Sequence, residues 1–497
     1  MKITSNFKKA LIILYGLGVL TLSVYFLYFY LQQKTILILK DAIYYLAIAD
    51  GILESCAVLD FSTKPASPIL TPQNGVVAFH LILSSLGLDH EDRLIGIAII
   101  NYLLHLSAIW PLYKIARQIG FQSTFLIAAL LGLYAGSYYL YYYQLMALND
   151  GAFNALSVWL VYLIISSYRN SIDTSHRLVK LGLIFILTIV LVHFRIQAFT
   201  ILAAAILASI IVRRYGFAFS MFASMMAGIA SLALIYIFAD TSGILGYAEN
   251  RRAIIELYNQ DFFVNLTLKT YSVFNQALSE VLFTDLGPFR NSIYVFFLLG
   301  IPMAFCSGLR QQNFAVLFVS LLCFVGISAM VFFLLPISRY LVYLFPFLYL
   351  LILFYKWTRP IGFFLITTIL ILSFAKSRFG LNIPESENHK FWRYLHEQKI
   401  ALPAGNALLI SEEPRRPYLF LKTRSFVGEL TWEKIKTQQS LFLVGSRGFI
   451  QTSLEQIEHL AKQKENSAFK HRSLTPGYND PEGFQLLELY GFATKAF

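Results

Sequence analysis

Two carboxylates and three arginines have the types and spacing that chemistry at a membrane surface needs. The first acidic stretch reads Lys40-Asp41-Ala42-Ile43-Tyr44-Tyr45-Leu46-Ala47-Ile48-Ala49-Asp50-Gly51. On a helix Asp41, Tyr45 and Ile48 share one face, while Asp50, about 900° further round, points the opposite way. A positioned aspartate can take the proton of a hydroxyl as its oxygen attacks carbon, contributing on the order of 10²–10⁴ in rate. A second carboxylate, Asp150 of Asn149-Asp150-Gly151, can orient the attacking group or supply oxygen to a divalent cation. Arg195 and Arg339 (followed by Tyr340), with Arg290 at the end of a long loop, are cations in or beside apolar stretches, and snorkelling is the favoured reading for Arg290. Each has a plainer reading beside the chemical one. Asp41 and Asp150 both stand where a helix N-cap is expected, and a helix-end arginine can snorkel to lipid headgroups.

The elements that must position these residues are membrane helices. Of 497 residues, 57% are apolar and 14% charged, with a mean hydropathy of +0.61. A water-soluble chain runs nearer ~25% charged, and the same figures exclude disordered, collagen-like and disulfide-scaffold classes. Three cysteines, Cys56, Cys306 and Cys323, build no framework. The charge of +12 would suggest nucleic acid in a soluble protein; here it follows from topology, and no nucleic-acid partner is expected. An apolar run from Leu11 to Tyr30 follows Lys8 and Lys9 and reads as a retained anchor. Further runs begin near Leu94, Thr124, Ala152, Leu181, Gln197, Phe217, Ser292, Phe314, Leu341 and Ile361. That predicts a polytopic α-helical membrane protein of about eleven transmembrane helices. With the N-terminus inside, Lys114, Arg117, Arg169, Arg177, Lys180, Arg213, Arg214, Arg310, Lys356 and Arg359 all fall in cytoplasmic turns, as positive-inside topology requires. The odd number of spans then puts everything after residue 376 outside.

Two outer loops, 32–93 and 240–290, alternate apolar and polar residues at helical spacing and read as interfacial helices. Residues 1–376 therefore form the membrane portion. Residues 377–497, with higher charge density and short β-like stretches at Ala407–Ser411, Leu441–Gly445 and Phe484–Tyr490 flanking a helical pattern at Leu454–Lys464, read as a small external α/β domain.

The pattern Asp41-x-x-Tyr44-Tyr45-x-Ala47-x-x-Asp50-Gly51 resembles the first exofacial loop of the C-class (GT-C) glycosyltransferases, which include the protein O-mannosyltransferases and the aminoarabinose transferases of lipid A. The resemblance continues through Pro68-Ile69-Leu70-Thr71-Pro72-Gln73-Asn74-Gly75, the segment Leu112 to Gly120, Asn149-Asp150-Gly151, and Arg339-Tyr340 with Pro346. It spans roughly the first 360 residues. Two places depart from the family's pattern: Ala42 follows Asp41 where many members carry Glu, and Asn149-Asp150 replaces an acidic pair. The resemblance implies a polyprenyl-phosphate sugar donor, transfer to a cell-envelope acceptor (lipopolysaccharide, glycan, lipid or protein) and inversion at the anomeric carbon. It implies a bacterial inner membrane with the site on the periplasmic face. Asp41 then corresponds to the base and Asp150 to its helper. Arg195, Arg339 and Tyr340 correspond to the donor-phosphate end, with Tyr44, Tyr45 and Asp50 as cavity lining. A divalent metal, Mg or Mn, is admitted; no other cofactor is implied.

Two rivals stay open. A glycan polymerase or ligase has a similar layout but relies on an outer loop rich in Arg and His, which these loops are not. A transporter or flippase needs ionisable residues near the midplane of several spans, and most spans have none. The tyrosines of 138–143 suit an interfacial belt. His80 and His105 lack metal spacing and read as packing residues. No phosphate-cradling glycine loop, nucleophile elbow or zinc spacing is present.

Overall fold

A computed structural model of the chain describes residues 40–55, 74–136, 148–169, 174–238, 262–272, 290–333, 340–354, 387–398, 407–412, 430–436, 440–462, 469–476, 478 and 483–490, with isolated positions 16, 21, 24, 359, 360, 362, 367 and 368. It divides into two compact units. One comprises Met1–Gln33, Ser67–Phe79 and Ile95–Asn382; the other Lys34–Ala66, His80–Leu94 and Ile383–Phe497.

The first unit is a helical bundle. Each apolar run from Leu94 to Leu341 has its helix: His90–Ser107 with Ile109–Ile119, Thr124–Gly136, Asn149–Arg169, Thr174–Phe194, Ala198–Ile211, Tyr215–Phe238, Arg290–Gln311, Phe314–Phe333 and Phe345–Phe354. Among the described residues five helices are long and apolar enough to cross a membrane: His90–Ile119, Asn149–Tyr168, Ser175–Phe194, Tyr215–Leu234 and Phe314–Val331. Shorter apolar helices such as Thr124–Gly136 and Ala198–Ile211 reach only about 20 Å at 1.5 Å per residue, less than the ~30 Å hydrocarbon. The runs at Leu11 and beyond Ile361 fall largely outside the described residues.

The outward-facing side chains match lipid as solvent. Phe185, Ile186 and Val190 of one span and Phe219, Phe222 and Met226 of another are exposed, as suits side chains that face lipid. Inside, Ala198–Ile211 packs against Phe314–Phe333 and Tyr215–Phe238, and Asn149–Arg169 against Thr174–Phe194. Alanines make the first contact close: Ala198, Ala204, Ala205 and Ala208 are fully buried, and small residues let helix backbones approach in lipid.

The second unit contains helix Lys40–Ser55 and a four-stranded sheet of order β1-β2-β4-β3, where β1 is Ala407–Ser411, β2 Ser440–Gly445, β3 Lys470–Ser473 and β4 Gln485–Tyr490. Strands β1 and β2 are parallel; β4 is antiparallel to both β2 and β3. Helix Arg447–Lys462 covers one face, burying Ile450, Ile457 and Ala461 with Leu441, Leu443, Leu487 and Leu489. β1, β2 and β4 coincide with the sequence expectation. β3 has no hydrophobic alternation to reveal it, because all four of its residues are exposed on a charged edge, where Lys and Arg discourage further strand pairing.

Candidate functional site

The membrane unit brings three of the expected site residues together at a break between helices. Helix Thr174–Phe194 ends as the Arg195 N–H donates to the Leu191 carbonyl at 2.9 Å, and a new helix starts at Ala198, whose N–H donates to the Arg195 carbonyl at 3.1 Å. Arg195 therefore sits where an apolar run is interrupted, at the head of a helix too short for the bilayer. Irregular backbone within a bilayer is tolerated where it is enclosed by protein or lines a cavity, and Arg195 is buried. Its Nη2 lies 2.6 Å from Asp150 Oδ2, with both side chains almost fully buried. The ring of Tyr340 faces the guanidinium, with Cζ 5.0 Å from the ring centroid. The guanidinium is thus flanked by a carboxylate and an aromatic ring, and a planar fork of this kind matches carboxylate and phosphate oxygens alike.

The neighbouring contacts fix this arrangement. Asp150 lies in the first turn of Asn149–Arg169, where the helix dipole favours a carboxylate. Asn149 Oδ1 accepts the Val76 N–H at 3.0 Å, capping helix Asn74–Ser85 from outside. Asn101 Nδ2 donates to the Leu148 carbonyl at 3.1 Å. Gly151 is needed because a Cβ there would fall 2.6 Å from the Asn101 side chain, and Gly75 because a Cβ would fall 2.5 Å from the Phe194 ring. Thr200 Oγ1 and the Tyr343 hydroxyl are 2.7 Å apart, and Tyr343 packs edge-on against Phe153. This layer ties Ala198–Ile211, Asn149–Arg169 and the Tyr340–Leu344 segment to one another.

Arg339 lies outside the described residues, as do Tyr138–Tyr143 and the acidic residues Glu256 and Glu280. Arg290 opens its helix, Asp41 stands in the first turn of Lys40–Ser55, and Tyr44 one turn on; the side chains of all three are outside the described residues. Tyr45 is buried.

Asp50 belongs to a separate cluster within the second unit. Arg93 Nη1 lies 2.6 Å from its Oδ1 and His90 Nε2 2.9 Å from its Oδ2, and both Asp50 and Arg93 are buried. His80, fully buried nearby, has its pKa lowered from 6.5 to about 3, first by burial and then by the Arg93 charge. Its helix, 12 residues long, is too short to span a bilayer. Sequence reasoning missed Arg93 and His90. The available signal was Asp50 itself, since a carboxylate on a helix this apolar requires a paired charge if it is buried.

Two further features bear on chemistry. An open apolar cavity of about 650 Å³ in the membrane unit is lined by Leu266, Pro302, Phe305, Ser320, Leu321 and Phe324 among others. Among the described residues, no three His, Cys, Asp or Glu side chains come together to hold a metal ion. Asp50 and Asp150 each face arginine.

No protein-family model and no curated protein matches the chain. Solved structures do match. The chain is similar to the oligosaccharyltransferase of Archaeoglobus fulgidus in complex with zinc and sulfate, with TM-score 0.51 and 11% identity over 86% of this chain and 67% of that one. The same enzyme tethered to an acceptor peptide gives TM-score 0.51 and 10% identity over 94% and 74%. ArnT from Cupriavidus metallidurans bound to undecaprenyl phosphate gives TM-score 0.50 and 10% identity over 98% and 99%. At these identities the likeness is one of fold, and it agrees with the long apolar helices of a multi-pass membrane protein.

Proposed function

We propose that the chain transfers a sugar from a polyprenyl-phosphate donor to a cell-envelope acceptor at the periplasmic face of a bacterial inner membrane. The observation that carries this reading is Arg195: a buried guanidinium held by Asp150 and Tyr340 at a helix break, in a fold shared with an enzyme whose structure holds undecaprenyl phosphate. The leaving group of such a transfer is a phosphate whose charge grows as the sugar departs. A preorganised cation in a low-dielectric site stabilises that growth without reorganisation. Asp150 acts through Arg195 as its positioning residue, and Arg339, beside Tyr340, is assigned to the same phosphate. The open apolar cavity suits the donor's isoprenoid chain.

At the acceptor, Asp41 is assigned the general base. The hydroxyl oxygen attacks the anomeric carbon, its proton passes to the Asp41 carboxylate, and the carbon–oxygen bond to phosphate breaks with its electron pair leaving on the phosphate. Attack opposite the leaving group inverts the anomeric carbon. Tyr44 and Tyr45 are assigned to the cavity lining beside Asp41, whereas Asp50, expected there from sequence, is held by Arg93 and His90 instead. A divalent Mg or Mn remains the family's expectation for such a site; the side chains described supply no cluster for it, and no step here passes through one. The topology proposed is about eleven spans, N-terminus cytoplasmic, with residues 1–376 as the membrane domain and 377–497 as a periplasmic α/β domain that contributes to acceptor binding.

The test is mass spectrometry of lipid A, outer-membrane glycans and polyprenyl-phosphate sugars in a strain lacking the protein. An accumulated lipid-linked sugar, with the same sugar mass missing from one envelope glycan and restored by the wild-type chain, supports the reading. Unchanged envelope glycans alongside an unchanged donor pool refute it.

A further inference from the structure

We propose that Arg93 and His90 are positioning residues for the reaction: by clamping Asp50 they fix the register of the helix that carries Asp41. The inference rests on the assignment of Asp41 as base.

The clamp lies within one unit, and Lys40–Ser55 is a single 16-residue helix. Asp41 and Asp50 are nine residues apart, about 13 Å along its axis. Its packed residues include Ala42, Ala47 and Ala49, all fully buried, beside Leu46 and Tyr45. Apolar packing is non-directional, so small side chains set how deep the helix lies more firmly than how it is rotated. The ion contacts supply what alanine does not. Arg93 meets one carboxylate oxygen and His90 the other, and two contacts on different atoms restrain both rotation and sliding. The clamp residues are themselves anchored. Gly87, at φ 79, turns the chain after Asn74–Ser85 as the Leu88 N–H donates to the Leu83 carbonyl. Asp89 Oδ1 then accepts the Asp92 N–H at 2.9 Å, an N-cap that sets His90 and Arg93 in the first turn of the next helix. Asp50 and Arg93 are buried, so solvent screens their contact much less than that of a surface pair.

The test uses the full-length protein in washed membranes of the deletion strain, with that strain's lipid extract as donor and its envelopes as acceptor. Asp50→Asn and Arg93→Gln are expected to lower the maximal rate at least about tenfold while half-saturating extract changes less than about twofold. Arg93→Lys, which keeps the charge, is expected to recover part of the loss, and serves if the other variants fail to fold. In an Asp41→Asn background the same substitutions should add less than about a further twofold, because their effect passes through Asp41. A wild-type rate in the clamp variants, a change confined to half-saturation, or a loss that multiplies fully with that of Asp41→Asn would overturn the positioning role alone. A fully active Asp41→Asn single variant would instead overturn the assignment of the base, and the positioning role with it.

Discussion

Among the described residues two buried aspartate–arginine pairs have the same length, 2.6 Å in each case, and they are built differently. Arg195 comes from a break between two helices and offers its face to Tyr340. Arg93 comes from a capped helix start and shares its aspartate with His90. In the first pair the arginine has two neighbours that orient it; in the second the aspartate has. The group held from two sides is the one whose direction matters. On the proposed reading Arg195 is the working group of the first pair, and the helix bearing Asp50 is the object held by the second.

The largest effect expected is from Arg195→Met. It removes the cation and leaves Asp150 buried without it, so transfer should fall on the order of 10²–10³ and stability by about 3–5 kcal/mol. Arg195→Lys should hold the fold better than it holds activity, because a point charge does not match both a carboxylate and a phosphate as a planar fork does. Thermal unfolding and transfer rates of the two variants separate these effects. If Arg195→Lys is fully active, the contrast drawn between the pairs is lost.

Gly151→Ala places a methyl 2.6 Å from the Asn101 side chain, so about 1–3 kcal/mol of stability should be lost to overpacking. Activity should fall with it, because Asp150 is the preceding residue. Asn101→Ala in the same chain should restore part of both. An undisturbed Gly151→Ala protein would show that the approach of these helices does not set Asp150.

His80 gives the second unit a pH dependence. Its folded pKa, near 3, lies below the ordinary imidazole value, so the unfolded chain takes up the proton first as pH falls. The His80 contribution is fully present above about pH 6.5 and is lost toward pH 3, with a slope of up to about 1.4 kcal/mol per pH unit. His80→Gln should flatten that acid limb in melts recorded from pH 7.5 to 5. The smallest effect belongs to Thr200→Val, which removes the 2.7 Å contact with Tyr343 at a cost of about 1 kcal/mol.

What could be read from sequence follows from which interactions are local. The apolar runs from Leu94 to Leu341 each announced a helix, because a span must satisfy its backbone within itself. Arg195 was visible because a cation inside an apolar run is costly. Its partner was not: Asp150 is 45 residues away, and pairing across that distance is decided by packing. Arg93 escaped notice for the same reason, as did Asn149, whose position suggests its own helix cap while its side chain serves Val76. Strand β3 escaped because an exposed edge has no apolar face to announce it.

The central claim is that Arg195 receives the donor's phosphate, and binding of undecaprenyl phosphate to the full chain in nanodiscs tests it most directly. The comparison is between wild type and the Asp150→Leu/Arg195→Met double variant, in which an apolar pair replaces the ion pair and the fold is retained. At least about tenfold weaker binding in the folded double variant is predicted, a difference of about 1.4 kcal/mol. Equal affinity in the two proteins would contradict the account.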